Sequence, residues 1–184
     1  MTALASKAQL RASLLRWSLF TIPLVLLLGF LSGRVAGSGP GNPWFDALVK
    51  PGIYPPPELF GIVWTILYIM MGLSLAFICS AWGARGRGIA IGAFVVQLLM
   101  NLAWSPLFFS MHRISGAFYL IVALAVAIVV TIVLAWKVRP AAGALLIPYL
   151  AWVCFAAVLN YQFLQANPDL DGQDIYQVEQ RFEI

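Results

Sequence analysis

Apolar positions in this chain fall into long unbroken stretches rather than short alternating ones. No Asp, Glu, Lys or Arg occurs in residues 17–33, 59–84, 88–112, 114–136 or 140–168, runs of 17, 26, 25, 23 and 29 residues. A helix needs about 20 apolar residues to cross a ~30 Å hydrocarbon core. Four runs exceed that length and the first approaches it. An unpaired backbone amide in lipid costs several kcal/mol, and a helix satisfies its own amides internally. The pattern therefore predicts an all-α integral membrane protein, a five-transmembrane-helix bundle with spans at about 17–33, 58–82, 88–111, 114–136 and 141–166. The last three links are short, which predicts antiparallel neighbours.

The link between the first two spans is different. Residues 34–57 are crowded with glycine and proline, yet carry Trp44, Phe45, Ile53 and Tyr54. Long connections of this kind tend to be functional or disordered, and disordered segments are poor in aromatics. This loop is expected to fold back over one mouth of the bundle as a lid. The chain thus divides into a basic extension (1–16), a transmembrane domain (17–167) and an acidic tail (168–184) with Asp169, Asp171, Asp174, Glu179 and Glu183.

Composition sharpens the class. Of 184 residues, 62% are hydrophobic and 10% charged, against roughly 25% charged in an ordinary soluble domain. That excludes a disordered protein and most soluble enzymes. The net charge of +4 is spread over loops rather than gathered in the contiguous patch nucleic acid requires, so no nucleic-acid partner is expected. Lys7, Arg11 and Arg16 precede the first apolar run as in a signal peptide, but that run is long and no small-x-small cleavage site follows closely, so it reads as a retained helix. The N-terminus and the second and fourth links carry Lys7, Arg11, Arg16, Arg85, Arg87, Lys137 and Arg139; the opposite side carries Arg34, Lys50, Arg113 and Arg181. That bias favours a cytoplasmic N-terminus, with the long loop and tail outside. Helical spans favour an inner over an outer membrane.

Ordinary catalysis has few parts here. There is one histidine, His112, and no carboxylate within a span. Ion pumps and proton relays need intramembrane ionisable groups. No nucleophile elbow, zincin motif or phosphate loop is present, and "DLDGQD" in the tail lacks calcium-loop spacing and the terminal glutamate. No catalytic residue, metal or obligatory cofactor is expected. Cys79 and Cys154 read as small apolar packing residues.

The spans do carry aromatic and amide residues at helical spacing. Trp64 and Tyr68 share a face of the second span; Gln97, Asn101, Trp104 and Phe108 form a stripe on the third; Tyr149, Trp152, Ala156 and Asn160 form one on the fifth. Buried amides facing lipid would be costly, so Gln97, Asn101 and Asn160 should turn inward and bring the rings with them. Ala156 leaves room between Trp152 and Asn160. A cavity with aromatic walls and sparse polar groups suits a large flat apolar ligand; the same stripes could equally be helix packing. Trp17, Trp82 and Trp136 sit near span ends as interfacial anchors. Pro106 and Pro148 interrupt the third and fifth spans. Gly29 with Gly33, and Gly88 with Gly92, are small-xxx-small pairs suited to close helix approach, within the bundle or between two copies.

Three segments, "WFDALVKPGIYPPPELFGIVWTILYIMMG" (44–72), "QLLMNLAWSPLFF" (97–109) and "IPYLAWVCFAAVLN" (147–160), resemble the TspO/MBR family of tryptophan-rich sensory proteins, translocator proteins and peripheral-type benzodiazepine receptors. The resemblance covers about residues 44–165. It implies a five-helix membrane bundle, usually a homodimer in the lipid bilayer, acting as a receptor or translocator of porphyrins such as protoporphyrin IX and haem, and of sterol-like or benzodiazepine-site ligands, with a role in tetrapyrrole levels or stress response. Light-dependent porphyrin degradation at pocket tryptophans, or a ligand-independent regulatory partnership, are the alternatives it leaves. Positions matching the family's ligand site are Trp64, Tyr68, Asn101, Trp104, Trp152, Phe155 and Ala156, with Lys50, Pro51, Pro55 and Pro56 matching the loop signature. Porphyrin or haem would be ligand rather than cofactor. Two departures stand out. Bacterial relatives often carry tryptophans where this chain has Gly52 and Ile53. A sterol-type motif needs a basic residue soon after its tyrosine, whereas Tyr161 is followed by Gln162, Phe163, Leu164, Gln165 and Ala166.

Overall fold

The computed structural model describes residues 6–173. These form helices α1 (Lys7–Val35), α2 (Pro43–Ala47), α3 (Pro57–Cys79), α4 (Arg87–Ser105), α5 (Ile114–Val138), α6 (Pro140–Leu145) and α7 (Ile147–Ala166), with a π turn at Pro106–Ser110 and a 3₁₀ turn at Pro168–Leu170. Five helical units of 28, 23, 24, 25 and 27 residues are long and apolar enough to cross a membrane: α1, α3, α4 with its π turn, α5, and α6 joined to α7. This is an all-α membrane bundle with the expected five spans.

Two boundaries differ from the sequence reading. The first helix starts at Lys7, well before Trp17, because Ser6 caps it: the Ser6 hydroxyl accepts from the Gln9 N–H while the Gln9 side chain accepts from the Ser6 N–H. Reciprocal capping satisfies two otherwise orphaned donors, so Arg11 and Arg16 ride on the helix rather than on a separate extension. The fifth span is two helices with a break at Leu146, just ahead of Pro148, which cannot donate an intrahelical bond. Of the acidic tail, Asp174, Glu179 and Glu183 lie outside the described residues.

Around the bundle the neighbours run α1, α3, α6–α7, α5, α4 and back to α1. The short link after α3 does not lay α4 along it; the main neighbour of α4 is α5. Lipid offers no hydrophobic drive between helices, so association rests on close contact and interhelical hydrogen bonds. Both are visible where α1 crosses α3. A Cβ built on Gly72 would lie 2.6 Å from the Ile22 Cα, and the Thr21 hydroxyl donates to the Gly72 carbonyl at 2.7 Å. Higher up, Gly29 leaves the space that the Tyr68 ring fills. Elsewhere, Pro106 has no N–H for the Leu102 carbonyl, and the Ser32 hydroxyl of α1 donates to that carbonyl at 2.6 Å. Ser74 of α3 likewise donates to the Ala142 carbonyl of α6 at 2.8 Å. Gly88 and Gly92 do not serve internal contact: both face outward, and a Cβ on either meets open space.

The helices close at the end bearing Trp17 and Trp82, whose rings lie 6.5 Å apart. At the opposite end the link between α1 and α3 packs onto the bundle. Trp44, Phe45 and Leu48 in this link are buried almost completely. The loop is therefore the lid its aromatic content predicted.

Candidate functional site

Beneath the lid lies a cavity of about 820 Å³, inside the range of about 300–1,000 Å³ usual for small-molecule sites. Its walls come from α1, α3, α4, α5, α7, the π turn and the lid, with Ile121 and Leu124 supplied by α5. Six of the residues expected from the sequence line it together: Trp64, Tyr68, Asn101, Trp104, Trp152 and Ala156. The helical stripes do converge. Trp64 stacks on Tyr68 with centroids 5.1 Å apart, and Trp104 stacks on Phe108 at 5.1 Å. Ala156 sits one turn from Trp152, and its small side chain leaves open volume between the rings.

The polar groups of the cavity are bonded to one another. The Tyr68 hydroxyl donates to Asn101 Oδ1 at 3.3 Å, and Asn101 Nδ2 donates to the Tyr149 hydroxyl at 3.1 Å. This chain ties α3, α4 and α7 at one depth. Trp104 Nε1 donates to Asn160 Oδ1 at 3.3 Å, and Asn160 Nδ2 donates to the Ile114 carbonyl at 3.1 Å. Tyr68 and Asn101 thus each have a protein partner. Asn160, read from the sequence only as an inward amide, belongs to the lining. The Trp152 Nε1 is buried and has no protein partner.

Three expected residues stand apart. Lys50 does not line the cavity. Its ammonium donates to the Phe45 carbonyl, to the Asp46 carbonyl at 3.0 Å and to the Leu48 carbonyl at 2.9 Å, and lies 4.6 Å from the centre of the Phe45 ring. It holds the carboxyl end of α2 together, where a cation suits the helix dipole. Partial burial pushes its pKa down, against an upward pull from the Asp46 carboxylate. Pro55 shapes the loop behind the cavity wall and is absent from the lining. Phe155 supports Trp152 from the side, with rings 5.2 Å apart. Gly52 and Ile53 are exposed and also stand clear of the cavity.

The structure adds residues that spacing did not single out. Gly29, Phe30 and Gly33 bring α1 into the wall, and Phe45 and Tyr54 bring in the lid. Phe45 meets Phe109 at 5.2 Å and Phe163 at 5.9 Å. Burial raises the pKa of the Tyr54 phenol, with the Asp46 and Glu58 carboxylates adding to the effect. The π turn matters here: Met111 N–H bonds to the Pro106 carbonyl, one residue beyond α-helical reach, and Phe108 and Phe109 are left buried under the lid. Pro106 in the sequence was the available signal.

The lid is fastened at three points. Asn42 Oδ1 accepts from the Phe45 N–H at 3.0 Å and its Nδ2 donates to the Phe109 carbonyl at 3.2 Å. Trp44 stacks on His112 with centroids 4.6 Å apart. At the end of α7, Asn167 pairs with both backbone groups of Val49: its Oδ1 accepts from the Val49 N–H at 2.7 Å and its Nδ2 donates to the Val49 carbonyl at 3.0 Å.

A covered aromatic cavity in a five-span bundle, built from these three segments, is matched by one family model, TspO/MBR, over residues 21–165. The chain belongs to the TspO/MBR family. It is 40% identical over 148 residues to the Tryptophan-rich protein TspO of Chlorobaculum tepidum, covering 80% of this chain and 93% of that one. It is 36% identical over 142 residues to the Translocator protein of Ovis aries, covering 76% and 83%. It is 31% identical over 147 residues to the Tryptophan-rich sensory protein of Cereibacter sphaeroides, covering 77% and 91%. The family match takes in every transmembrane wall of the cavity and its lid, and it makes the chain a membrane protein of the translocator and sensory-protein type.

Proposed function

We propose that this TspO-family protein is a receptor or translocator that takes a planar porphyrin, protoporphyrin IX or haem, into the cavity under the lid. The observation that carries the reading is the cavity itself: about 820 Å³ enclosed by Trp64, Trp104 and Trp152 from three different helices, with Ala156 leaving the space between them. Aromatic faces stack on a ring system, each such contact contributing about 0.5–1.5 kcal/mol beyond area burial. The bonded pairs Tyr68–Asn101 and Trp104–Asn160 hold the walls in place before the guest arrives, which lowers the ordering cost of binding. Sterol-like or benzodiazepine-site ligands would use the same apolar walls.

The outward face of α4 with Gly88 and Gly92 is the surface through which two copies would pair as a homodimer. The charge bias supports a cytoplasmic N-terminus, which would put the lid on the outer side of a bacterial inner membrane.

Titration of the purified protein with protoporphyrin IX tests the proposal. Saturable quenching of tryptophan fluorescence is expected, and Ala156→Phe, which fills the space between the walls, should abolish it. Unsaturable quenching, or equal binding by Ala156→Phe in a folded protein, would remove the basis for this function.

A further inference from the structure

The charges of this bundle are segregated by end. Arg11 and Arg16 on α1, Arg85 and Arg87 around the link from α3 to α4, and Lys137 and Arg139 around the end of α5 all stand at the end closed by Trp17 and Trp82. Among the described residues no carboxylate shares that end. Asp46 belongs to the lid, Glu58 to the first turn of α3, and Asp169 and Asp171 follow α7, all at the lid end. Cations gathered without a counter-charge repel one another, and anions from outside the described residues relieve that cost.

One of these cations is built into a fixed geometry. The Arg87 guanidinium lies 4.3 Å from the centre of the Trp82 ring, and its Nε donates to the Cys79 carbonyl at 3.1 Å. Trp17 of α1 packs on Trp82 in turn. Both anchors fix the side chain without using its two terminal amino groups, which make no hydrogen bond among the described residues. Completing the end of α3 needs a single donor. The guanidinium carries five N–H groups in a planar fork, which fits a phosphate with two parallel bonds. A fork held in place before its anion arrives loses little freedom on binding. Trp82 is 68% exposed, at the end of a span, where indoles mark the boundary between hydrocarbon and headgroups. Arg87 therefore stands at the level of lipid phosphates.

We propose that Arg87, seated on Trp82, binds the phosphate of an anionic lipid headgroup, with Arg85 adding charge beside it. Zwitterionic lipids carry the same phosphate, but the surrounding cations repel their ammonium group. The site thus selects lipids of net negative charge.

Native mass spectrometry of the full chain, released from detergent with equal amounts of phosphatidylglycerol and phosphatidylcholine, tests this. One phosphatidylglycerol per chain should be retained about fivefold over phosphatidylcholine, the preference one arginine supplies at an anionic surface. Arg87→Gln should erase the preference and Arg87→Lys should keep part of it. Trp82→Leu, which keeps every charge, should weaken it, and Arg11→Gln, which leaves the Trp82 platform untouched, should change it little. The melting temperature gives a second reading. Phosphatidylglycerol should raise it for the parent and not for Arg87→Gln, whose lipid-free melting reports the loss at the Cys79 carbonyl alone. Equal retention of the two lipids by the parent, or a preference that Arg87→Gln keeps, would overturn the proposal. So would equal losses from Arg11→Gln and Arg87→Gln, which would make the charge a diffuse field rather than a site. Stabilisation by inorganic phosphate matching that by the lipid would overturn it too, assigning the guanidinium to a soluble anion.

Discussion

Replacing Gly72 by alanine tests the closest helix crossing in the bundle. The added Cβ would meet the Ile22 Cα at 2.6 Å, the Ile22 nitrogen at 3.0 Å and the Thr21 carbonyl at 3.0 Å. All three are backbone atoms, so no side-chain rotation relieves the clash and α1 must move away from α3. Overpacking of this kind costs about 1–3 kcal/mol. The displacement also stretches the 2.7 Å bond from the Thr21 hydroxyl to the Gly72 carbonyl, a further loss of about 0.6 kcal/mol on the scale of interhelical bonds in membranes. Alanine recovers about 0.5–1 kcal/mol over glycine in a helix interior. The net expectation is destabilisation by about 1–3 kcal/mol, or a melting temperature about 2–10 °C lower for a chain of this size. Gly61, on the same helix, has nothing within 4 Å of a built Cβ. There only the helix-propensity gain remains, and Gly61→Ala should melt at or slightly above the parent. Thermal unfolding of both variants in one detergent measures the contrast. If Gly72→Ala melts with Gly61→Ala, the crossing is not as close as described and the reasoning is refuted.

Further outcomes follow from the same structure. Asn167→Ala removes both bonds to Val49, so the lid should open more often; stopped-flow dissociation of a bound porphyrin should quicken by about fivefold, taking about 1 kcal/mol for the lost pair, and an unchanged rate would show that Asn167 does not hold the lid. Asn160→Leu strips the Trp104 indole of its acceptor and should cost about 1–3 kcal/mol of stability, the penalty for an orphaned buried donor, read in the same melting assay. Lys50→Met leaves the carbonyls at the end of α2 without their donor yet touches no cavity wall; proteolysis within residues 40–56 should accelerate, while equilibrium porphyrin affinity changes less than for Ala156→Phe. Leucine at both Gly88 and Gly92, which face outward, should shift light-scattering mass in detergent from two copies to one if α4 is the dimer face.

The sequence by itself determined the membrane class, the number of spans and the inward faces of the helices. Charge-free runs longer than a bilayer's thickness admit no cheaper solution than helices, and the amides of Asn101 and Asn160 could not face lipid without loss, so Trp104 and Trp152 on the same faces turned inward with them. The glycine- and proline-rich link carrying Trp44, Phe45 and Tyr54 could be recognised as a lid because such rings seek cover. What needed the tertiary structure was everything set by which helix stands beside which. α4 lies along α5 rather than α3, a choice that short links do not encode. Gly29 admits Tyr68, whereas Gly88 admits nothing, though the two belong to the same spacing motif. Lys50 turns to the carbonyls of its own loop instead of the cavity, since those acceptors lie within reach only once α2 has formed. Helical period fixes a residue's face; only the assembled bundle fixes what that face meets.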